Sequence, residues 1–317
     1  MRRIESLDAL PEGGLPRGST VAIGKFDGVH LGHQAILRRL AVAAEADGSE
    51  SVVFTFRSNP LSLLRPDACP QPVMSAEQRL EAIAETGVTT CVMVDFDGAL
   101  AAVPAEDFVR DILVDRLGAS RIVVGEDFRF GHRGLGDVAL LRALAPELGF
   151  TVELMGSIDD PELGRISSSR VREAVTEGDV ERAGRLLGRP VAVRGEVVHG
   201  DARGRELGFP TANLGGTVEG LVPADGVYAG WVTVNGETHP TAISVGNNPT
   251  FTPHAQSRVE AFLLDFSGDL YGATIEVRFV ARIRGMVAFT GIEALIERMC
   301  EDVAETRRIL HLADPAA

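Results

Sequence analysis

The sequence predicts two domains: an α/β domain with a parallel sheet, followed by a smaller antiparallel β-barrel. A chain of 317 residues is long enough for both. In its first half, short β-branched runs alternate with stretches of helical period, which is typical of a parallel sheet with crossover helices. After Gly188-Arg189-Pro190 the pattern changes to alternating strand segments separated by turn residues. The domains are therefore predicted at residues 1–187 and 188–317.

The first domain is predicted to be a doubly wound α/β fold, because strands and helices follow one another regularly. Helices are expected where apolar residues recur at helical spacing or where a capping box is present, as in Ser75 with Gln78. The strands are predicted at Thr20–Gly24, Ser51–Phe56, Thr90–Asp95, Arg121–Gly125 and Thr151–Leu154. The helices are predicted at Gln34–Glu45, from Ser75 to about Thr86, after Pro104, at Ser169–Thr176 and at Asp179–Leu187.

In the second domain, the alternating residue pattern of β-strands continues until about the last thirty residues. A small, mostly antiparallel barrel with a C-terminal helix fits this pattern. The helix is predicted at Ile292–Leu310. The strands are predicted at Val191–Val198, Gly226–Val234, Thr241–Gly246, Arg258–Asp265 and Thr274–Arg282.

Composition restricts the partners of the chain. With 31 basic and 45 acidic residues, the net charge of −14 disfavours nonspecific binding to nucleic acid or to an anionic membrane. Cys69, Cys91 and Cys300 lack metal-ligand spacing, so reduced thiols are expected. The N-terminus has no apolar signal segment, and no apolar run approaches the roughly 18 residues that cross a bilayer. A cytoplasmic protein is expected.

The segment GKFDGVHLGH at residues 24–33 is a candidate phosphate site. Its glycines let the backbone approach a ligand, and the start of the following helix offers free N–H groups to an anion. His30 and His33 are three residues apart, so both rings can face one ligand and donate hydrogen bonds to oxygens that gain charge during phosphoryl displacement. The alternative is a tight strand-to-helix turn with two surface histidines.

The segment GDARGRELGFPTAN at residues 200–213 is a second candidate. Glycines again allow backbone amides to approach phosphates, and the Thr211 hydroxyl and the Asn213 amide oxygen are neutral hard ligands suited to Mg²⁺. The alternative is a hairpin connection. Glu260 lies in a strand among apolar residues, where a lone carboxylate is usually only solvated.

These segments together resemble one family. Residues 24–33 carry the HxGH signature of the nucleotidyltransferase superfamily, and in full they are similar to prokaryotic bifunctional riboflavin kinase/FAD synthetases. GEDFRFG (125–131), RISSSRVR (165–172) and LLGRP (186–190) match the same family in order, and residues 200–213 match the riboflavin kinase pattern GxxxGRxLGFPTAN without a mismatch. The resemblance covers roughly Ser19 to Leu310. It implies an HxGH-type FMN adenylyltransferase domain followed by a riboflavin kinase domain.

The resemblance also implies roles for single residues and names the substrates as ATP, riboflavin, FMN and FAD. His30 and His33 would be catalytic in adenylyl transfer, and Glu260 would accept the proton of the riboflavin 5′-hydroxyl. Thr211 and Asn213 would hold Mg²⁺. The residues implied for ATP and phosphate are Gly24, Phe26, Asp27, Gly28, Arg165, Ser168, Ser169, Arg172, Gly200, Gly204, Arg205 and Gly208. Those implied for the flavin are Asn59, Asp127, Phe128 and Arg284.

Two segments depart from the family pattern, and both concern substrate recognition. Residues 57–60 read RSNP where a Pro-His-Pro-like sequence is expected, and residues 284–289 read RGMVAF in place of Arg-Pro-Glu and a Lys-Phe pair. The leading hypothesis is an enzyme with both activities and weak self-association. The departures leave open a member with one activity or with a flavin analogue as substrate, and a noncatalytic nucleotide-binding regulator is the alternative from another class. For Ser167–Arg172, the alternative is that the hydroxyls at this helix start are caps, which is common.

Overall fold

The structure is a computed structural model that describes residues 1–16, 18–156, 158–200, 208–246, 258–287, 289 and 291–312. The chain divides into two compact units, Met1–Ile166 and Ser167–Ala317. Within the described ranges, no helix combines the length and the apolar character that crossing a membrane requires.

The first unit contains a parallel sheet of six strands in the order β1-β4-β3-β2-β5-β6. All five predicted strands are confirmed within a few residues. The sixth, at the sheet edge, was missed because three residues are too short to give a periodic signal. The strands are β1 (Arg2–Ile4), β2 (Ser19–Ile23), β3 (Ser51–Phe56), β4 (Thr90–Val94), β5 (Ala119–Gly125) and β6 (Thr151–Met155). A short hairpin of β7 (Asp159–Asp160) and β8 (Gly164–Arg165) follows.

Helices of the first unit cover both faces of the sheet, which confirms the doubly wound fold. Val21 of β2 joins a core that includes Leu141, whereas its neighbour Ala22 joins another that includes Leu37. The helices are α1 (Leu31–Ala46), α2 (Leu61–Leu64), α3 (Ala76–Ala84), α4 (Gly98–Ala102), α5 (Ala105–Asp107), which continues as a π-helix (Phe108–Arg116), and α6 (Val138–Leu148). Single 3₁₀ turns lie at Leu7–Ala9, Asp27–Val29, Pro66–Ala68 and His132–Gly134.

Two helix details show how local signals succeed or fail. The capping box at Ser75 is present, with the Ser75 Oγ accepting from the Gln78 N–H and the Gln78 side chain accepting from the Ser75 N–H. Helix α6 was not predicted. It contains Pro146, a residue that normally ends or kinks a helix.

The second unit is built on a closed antiparallel barrel of six strands in the order β10-β13-β12-β11-β14-β9. The barrel and the C-terminal helix are confirmed. The strands are β9 (Val191–Val198), β10 (Ala212–Glu219), β11 (Gly226–Val234), β12 (Glu237–Gly246), β13 (Arg258–Leu263) and β14 (Thr274–Arg284). The helices are α7 (Ser168–Glu177), α8 (Val180–Leu187) and α9 (Ile292–Ile309), the last lying against β11, β12 and β14.

Strand β10 was missed, because the sequence was interpreted as a phosphate loop and the strand contains Gly215 and Gly216, which weaken a strand pattern. The structure shows why Gly215 is needed. A β-carbon there would lie 2.3 Å from Cγ2 of Val198 on the neighbouring β9, so the Val198 side chain occupies the space that a side chain at position 215 would need.

The structural division at Ile166/Ser167 lies two helices before the predicted boundary at residues 187/188. Helices α7 and α8 belong with the barrel. The Ala224 N–H donates to the Val175 carbonyl, and Arg282 on β14 donates to the carbonyls of Glu177 (3.2 Å) and Asp225 (2.8 Å). The change from helical to strand pattern thus marks a change of secondary structure, and long-range contacts decide where the unit begins. The assignment of activities to residues 1–187 and 188–317 stays a prediction.

We predict that a fragment of residues 167–317 is more stable than one of residues 189–317. The shorter fragment lacks α7 and α8, and α8 packs against β9 and β14 of the barrel. Apolar barrel residues that α8 covers would then be exposed, and each large apolar side chain that is no longer buried costs roughly 1.5–3 kcal/mol. Both fragments should phosphorylate riboflavin. Urea unfolding followed by circular dichroism measures the difference, and equal midpoints for the two fragments would contradict it.

Candidate active site

The turn between β2 and α1 places both candidate histidines at the carboxyl end of the sheet. Phe26 takes a left-handed conformation (φ 48°), and Asp27–Val29 form a 3₁₀ turn in which Gly28 has φ 78°. His30 then caps α1, since its Nδ1 accepts a hydrogen bond from the His33 N–H at 3.3 Å. With Nδ1 as acceptor, the proton of a neutral His30 lies on Nε2.

The rings of His30 and His33 are stacked, with centroids 3.7 Å apart and planes inclined by 15°. His30 is 6% exposed, and the buried Nδ1 of His33 has no hydrogen-bond partner in the described part of the chain. Burial, and then the neighbouring His30, hold the pKa of His33 well below its usual value. His33 is therefore a neutral hydrogen-bonding group at neutral pH.

Two glycines of the motif are explained by the rings beside them. A β-carbon at Gly32 would lie 3.1 Å from the His30 ring, and one at Gly24 would lie 3.1 Å from the Phe26 ring. The Phe26 ring in turn meets His33 edge-on, with centroids 5.2 Å apart. The resemblance assigns Gly24 and Phe26 to ATP. In the structure, Phe26 packs against His33, and Gly24 leaves space for the Phe26 ring.

The Asp27 side chain is engaged in holding the loop. Its Oδ1 accepts a hydrogen bond of 2.9 Å from the Val73 N–H, in the segment before α3. Since a carboxylate repels phosphate, the predicted ATP contact of Asp27 is reduced to its backbone, as is that of Gly28, which has no side chain.

Three candidate flavin residues follow strands adjacent to β2 in the sheet. Asn59 comes after β3, and its Oδ1 accepts from the Leu61 N–H (3.1 Å) at the start of α2. Asp127 and Phe128 come after β5, where the Phe128 ring stacks on Phe130 with centroids 5.3 Å apart. Because β3, β2 and β5 are parallel neighbours, their following loops lie at one edge of the sheet. The flavin role of these residues stays a prediction.

The RISSSRVR segment is split between the two units. Arg165, exposed on the β7–β8 hairpin opposite Asp159, lies in the first unit, and Ser168, Ser169 and Arg172 lie in the second. Ser167 caps α7, because its Oγ accepts from the Arg170 N–H at 3.4 Å. The structure therefore contains the capping alternative at Ser167, and the role of Ser168 and Ser169 at ATP stays a prediction.

In the barrel, strand pairing brings the kinase candidates together. Asn213 on β10 is the direct cross-strand partner of Glu260 on β13. Their neighbours Ala212 and Ala261 are buried in the barrel, so Asn213 and Glu260 lie on its outer face, as strand alternation requires. The Asn213 Nδ2 donates to the Thr211 carbonyl and Oγ1, both at 3.4 Å.

The amide orientation of Asn213 fits the predicted metal role. With Nδ2 turned to Thr211, its Oδ1 is the atom left to act as a ligand, and Mg²⁺ prefers oxygen. The described residues contain no cluster of three or more His, Cys, Asp or Glu side chains that could hold a metal. Gly200 is explained by the same side chain, because a β-carbon there would lie 2.6 Å from the Asn213 Nδ2.

A cavity of about 270 Å³ adjoins these residues on the outside of the barrel. Its lining is largely apolar, and the polar residues in it are Thr211, Ser244, Glu260, Arg284 and Asp302. The other lining residues include Phe209, Val227, Ile243, Phe262, Met286, Val287, Phe289, Leu295 and Met299. Met286 and Val287 are about half exposed (52% and 55%), so the RGMVAF segment presents apolar side chains at this cavity.

Arg284 belongs to the wall of this cavity, and most of its donors are already engaged. Its Nε and Nη2 donate to the two carboxylate oxygens of Asp302 at 2.8 and 2.6 Å, and its Nη1 donates to the Gly285 carbonyl. The predicted flavin contact of Arg284 is thus restricted by an almost buried ion pair. Asp302 was missed by the sequence analysis, where it is one of many charges on the C-terminal helix.

A second cavity of about 290 Å³ is also lined by Thr211. It is lined by Pro210 and Ala212, by Val197 and Leu263, and by residues 266–271. Tyr271 packs on His199 with ring centroids 3.7 Å apart. Thr211 lines both this more polar cavity and the cavity that contains Glu260.

The resemblance also implies a phosphate role for three other residues of the kinase loop, Gly204, Arg205 and Gly208. Gly204 and Arg205 lie outside the described residues. Gly208 has φ 87°, a conformation that strongly favours glycine, and a β-carbon there would meet open space.

An HxGH turn on a parallel sheet, followed by a barrel with a Thr/Asn/Glu cluster, defines a two-domain nucleotide-dependent transferase. The FAD synthetase family model matches residues 14–170, and the riboflavin kinase family model matches residues 187–310. A bifunctional riboflavin kinase/FMN adenylyltransferase from Pseudomonas fluorescens is 39% identical over 301 residues, which are 95% of each chain. One from Escherichia coli K12 is 36% identical over 100% of this chain and 99% of its own. The chain belongs to the bifunctional riboflavin kinase/FMN adenylyltransferase family, and it is an enzyme.

A solved structure shares the whole architecture. It is described as a macrolide-efflux protein from Streptococcus pneumoniae, is 34% identical, and superposes with a TM-score of 0.84 over 96% of this chain and 98% of its own. The two family models and the curated relatives confirm, over both halves of the chain, the family predicted from the sequence motifs.

We predict that Gly32→Ala lowers FAD formation by about 10²-fold, because the added methyl displaces the His30 ring and a misplaced transition-state donor costs about that much. Riboflavin phosphorylation should be unchanged. Gly98→Ala is the matched control, since a β-carbon there meets nothing within 4 Å. Rates for both reactions check the prediction, and a fully active Gly32→Ala would contradict it.

We also predict that acid destabilises the first unit through His33. Its pKa is lowered in the folded state, so below its unfolded pKa of about 6.5 the unfolded chain binds a proton that the folded chain does not, and stability falls as pH falls. His33→Gln should lose less stability than the wild type between about pH 7.5 and 5.5. Urea unfolding at both pH values measures this, with His132→Gln, at an exposed histidine, as control. Identical losses in wild type and His33→Gln would show the prediction to be wrong.

Proposed function

We propose that the chain carries out both reactions of its family at two separate sites. The barrel converts riboflavin and ATP into FMN and ADP, and the α/β unit converts FMN and ATP into FAD and pyrophosphate. The observation that carries this proposal is the pairing of Glu260 with Asn213 across β10 and β13, beside Thr211, which lines both cavities. A binding module has no use for a carboxylate beside neutral metal ligands, which argues against a noncatalytic regulator.

In the kinase site, the apolar cavity would take the isoalloxazine ring and the more polar cavity the nucleotide. This places the ribityl chain and the triphosphate on opposite sides of Thr211. Glu260 then accepts the proton of the 5′-hydroxyl as its oxygen attacks the γ-phosphorus, and ADP leaves. Thr211 Oγ1 and Asn213 Oδ1 would hold Mg²⁺, which would offset the charge of the phosphates when bound.

The walls of the apolar cavity support this orientation. Phe262 lies two residues from Glu260 on the same outer face of β13, so an apolar ring system beside Phe262 brings its polar tail towards the carboxylate. The Arg284–Asp302 pair closes another part of the wall and joins the end of β14 to α9. We therefore propose that Arg284 shapes the flavin site through this ion pair.

In the adenylyl-transfer site, the histidine pair and the start of α1 would face the phosphates. A phosphate oxygen of FMN attacks the α-phosphorus of ATP, and pyrophosphate leaves. His30 donates from Nε2, and neutral His33 adds a hydrogen bond without introducing a second positive charge. No residue needs to be covalently modified. Arg165 is proposed as a further phosphate contact, and the ATP role that the resemblance implies for Ser168, Ser169 and Arg172 stays a prediction.

Several finer points belong to the same proposal. Mg²⁺ is the proposed ion for both reactions, the cytoplasm is the proposed location, and weak self-association is proposed. The RSNP and RGMVAF segments favour, as second candidate, an enzyme that retains one activity or accepts a flavin analogue. Incubation with riboflavin, ATP and Mg²⁺, followed by chromatography, decides between them. If both FMN and FAD form, the enzyme has two activities. If only FMN forms, it has the kinase activity alone. If no FMN and no FAD form, the proposal is rejected.

We predict that Glu260→Gln lowers riboflavin phosphorylation by about 10²–10⁴-fold, because the amide cannot accept the hydroxyl proton and its volume is nearly the same. Adenylylation of supplied FMN should stay intact. The neighbouring Arg258→Gln, on the same outer face of β13, is the control. Steady-state assays of both reactions test this, and full kinase activity in Glu260→Gln would reduce Glu260 to a solvated carboxylate.

A further inference from the structure

Arg79 on α3 is a buried cation that neither proposed reaction uses. It is 5% exposed. Its Nη1 donates to the Lys25 carbonyl at 3.2 Å, and its Nη2 donates to the carbonyls of Phe56 (2.6 Å) and Arg57 (2.8 Å). Its buried Nε has no partner among the residues that the structure describes. Removing a guanidinium from water has a large desolvation free energy, so an apolar side chain would fill this space with less loss of stability.

The three carbonyls belong to two different parts of the candidate adenylyl-transfer site. Lys25 lies in the loop that leads from β2 to His30. Phe56 and Arg57 lie where β3 ends and the RSNP segment with Asn59 begins. One guanidinium therefore connects the phosphate loop to the segment predicted to recognise the flavin, across the carboxyl ends of two neighbouring strands.

The Lys25 carbonyl has a direct connection to the histidine pair. It also accepts from the Thr55 Oγ1 at 3.3 Å, so two donors fix the orientation of the peptide that precedes Phe26. Phe26 is left-handed, a conformation that is unfavourable for an aromatic residue unless the surroundings enforce it. Its ring supports His33 edge-on. Fixing the Lys25 carbonyl thus fixes the position of the Phe26 ring that contacts His33.

We propose that Arg79 is a positioning residue for FMN adenylylation, which sets the spacing between the phosphate loop and the flavin segment. The proposal rests on the proposed role of His33 at the phosphates. Arg79 does not touch substrate. It acts through three main-chain carbonyls, and an error of about 1 Å in such placement can cost about 10²-fold in rate.

The fork of the guanidinium is the property that the proposal requires. Three carbonyls from two loops are reached by two separate nitrogen atoms of one planar group. A lysine has one nitrogen at the end of a flexible chain and cannot reproduce this geometry, although it keeps the positive charge. Arg79→Lys therefore separates geometry from charge.

The test uses the full chain and measures both reactions in the same preparation. Arg79→Lys is compared with the wild type and with Arg38→Lys, an exposed arginine on α1. We expect Arg79→Lys to lower the kcat of adenylylation by about 10–100-fold per folded molecule and to raise the KM for FMN, while riboflavin phosphorylation changes less than about twofold. Wild-type kcat and KM in a folded Arg79→Lys, or an equal loss of both reactions, would overturn the proposal.

Thr55→Val provides a second measurement if Arg79→Lys does not fold. It removes the other donor to the Lys25 carbonyl with almost no change in volume, and we expect adenylylation alone to fall several-fold in kcat. An unchanged kcat in Thr55→Val, with Arg79→Lys unfolded, would reject the proposal. His33→Ala in the same assay separates the two levels of inference. If it keeps full adenylylation, the proposed function of the histidine pair fails. If it loses adenylylation while Arg79→Lys retains it, only the role of Arg79 fails.

Discussion

The adenylyl-transfer site depends on one constraint, the parallel order of β3, β2 and β5 in the centre of the sheet. Parallel strands bring every following loop to the same edge, so the loop of His30 lies between those of Asn59 and Phe128 without any specific attraction between them. Both faces of the sheet are covered by helices, which explains why all five residues of β2 are buried. The chemistry is then a matter of fine adjustment within the β2–α1 turn, where Phe26 supports His33.

The barrel solves a similar problem with a different device. Antiparallel pairing places Asn213 directly opposite Glu260, although a long stretch of chain separates them, and alternation turns both to the outer face. The interior of the barrel is thereby free to be a hydrophobic core, and the site is a layer between its outer wall and α9. Thr211, just before β10, marks the border between the two cavities.

Buried charges recur in both units at places that shape a site. Arg79 grips carbonyls of two loops in the α/β unit, and Arg284 holds Asp302 in the wall of the barrel cavity. In each case, fixed protein oxygen atoms replace water as the hydrogen-bond acceptors of the guanidinium. These bonds hold the surrounding segments in place, and they offset the desolvation penalty of the buried charge. Such residues do not react, yet they determine where the reacting groups lie.

The sequence by itself determined the order of the two domains, most strands and the residues of the two motifs, because hydrophobic alternation and glycine-rich turns are local signals. It also pointed to His30, His33, Thr211 and Asn213, since the matched segments are continuous in the chain. Only the tertiary structure decided that α7 and α8 belong with the barrel, that Asp302 occupies Arg284, and that Arg79 is buried under the phosphate loop. An arginine looks the same in a sequence whether it is solvated or buried, and its partners here are backbone atoms and residues far along the chain, which no local pattern can reveal.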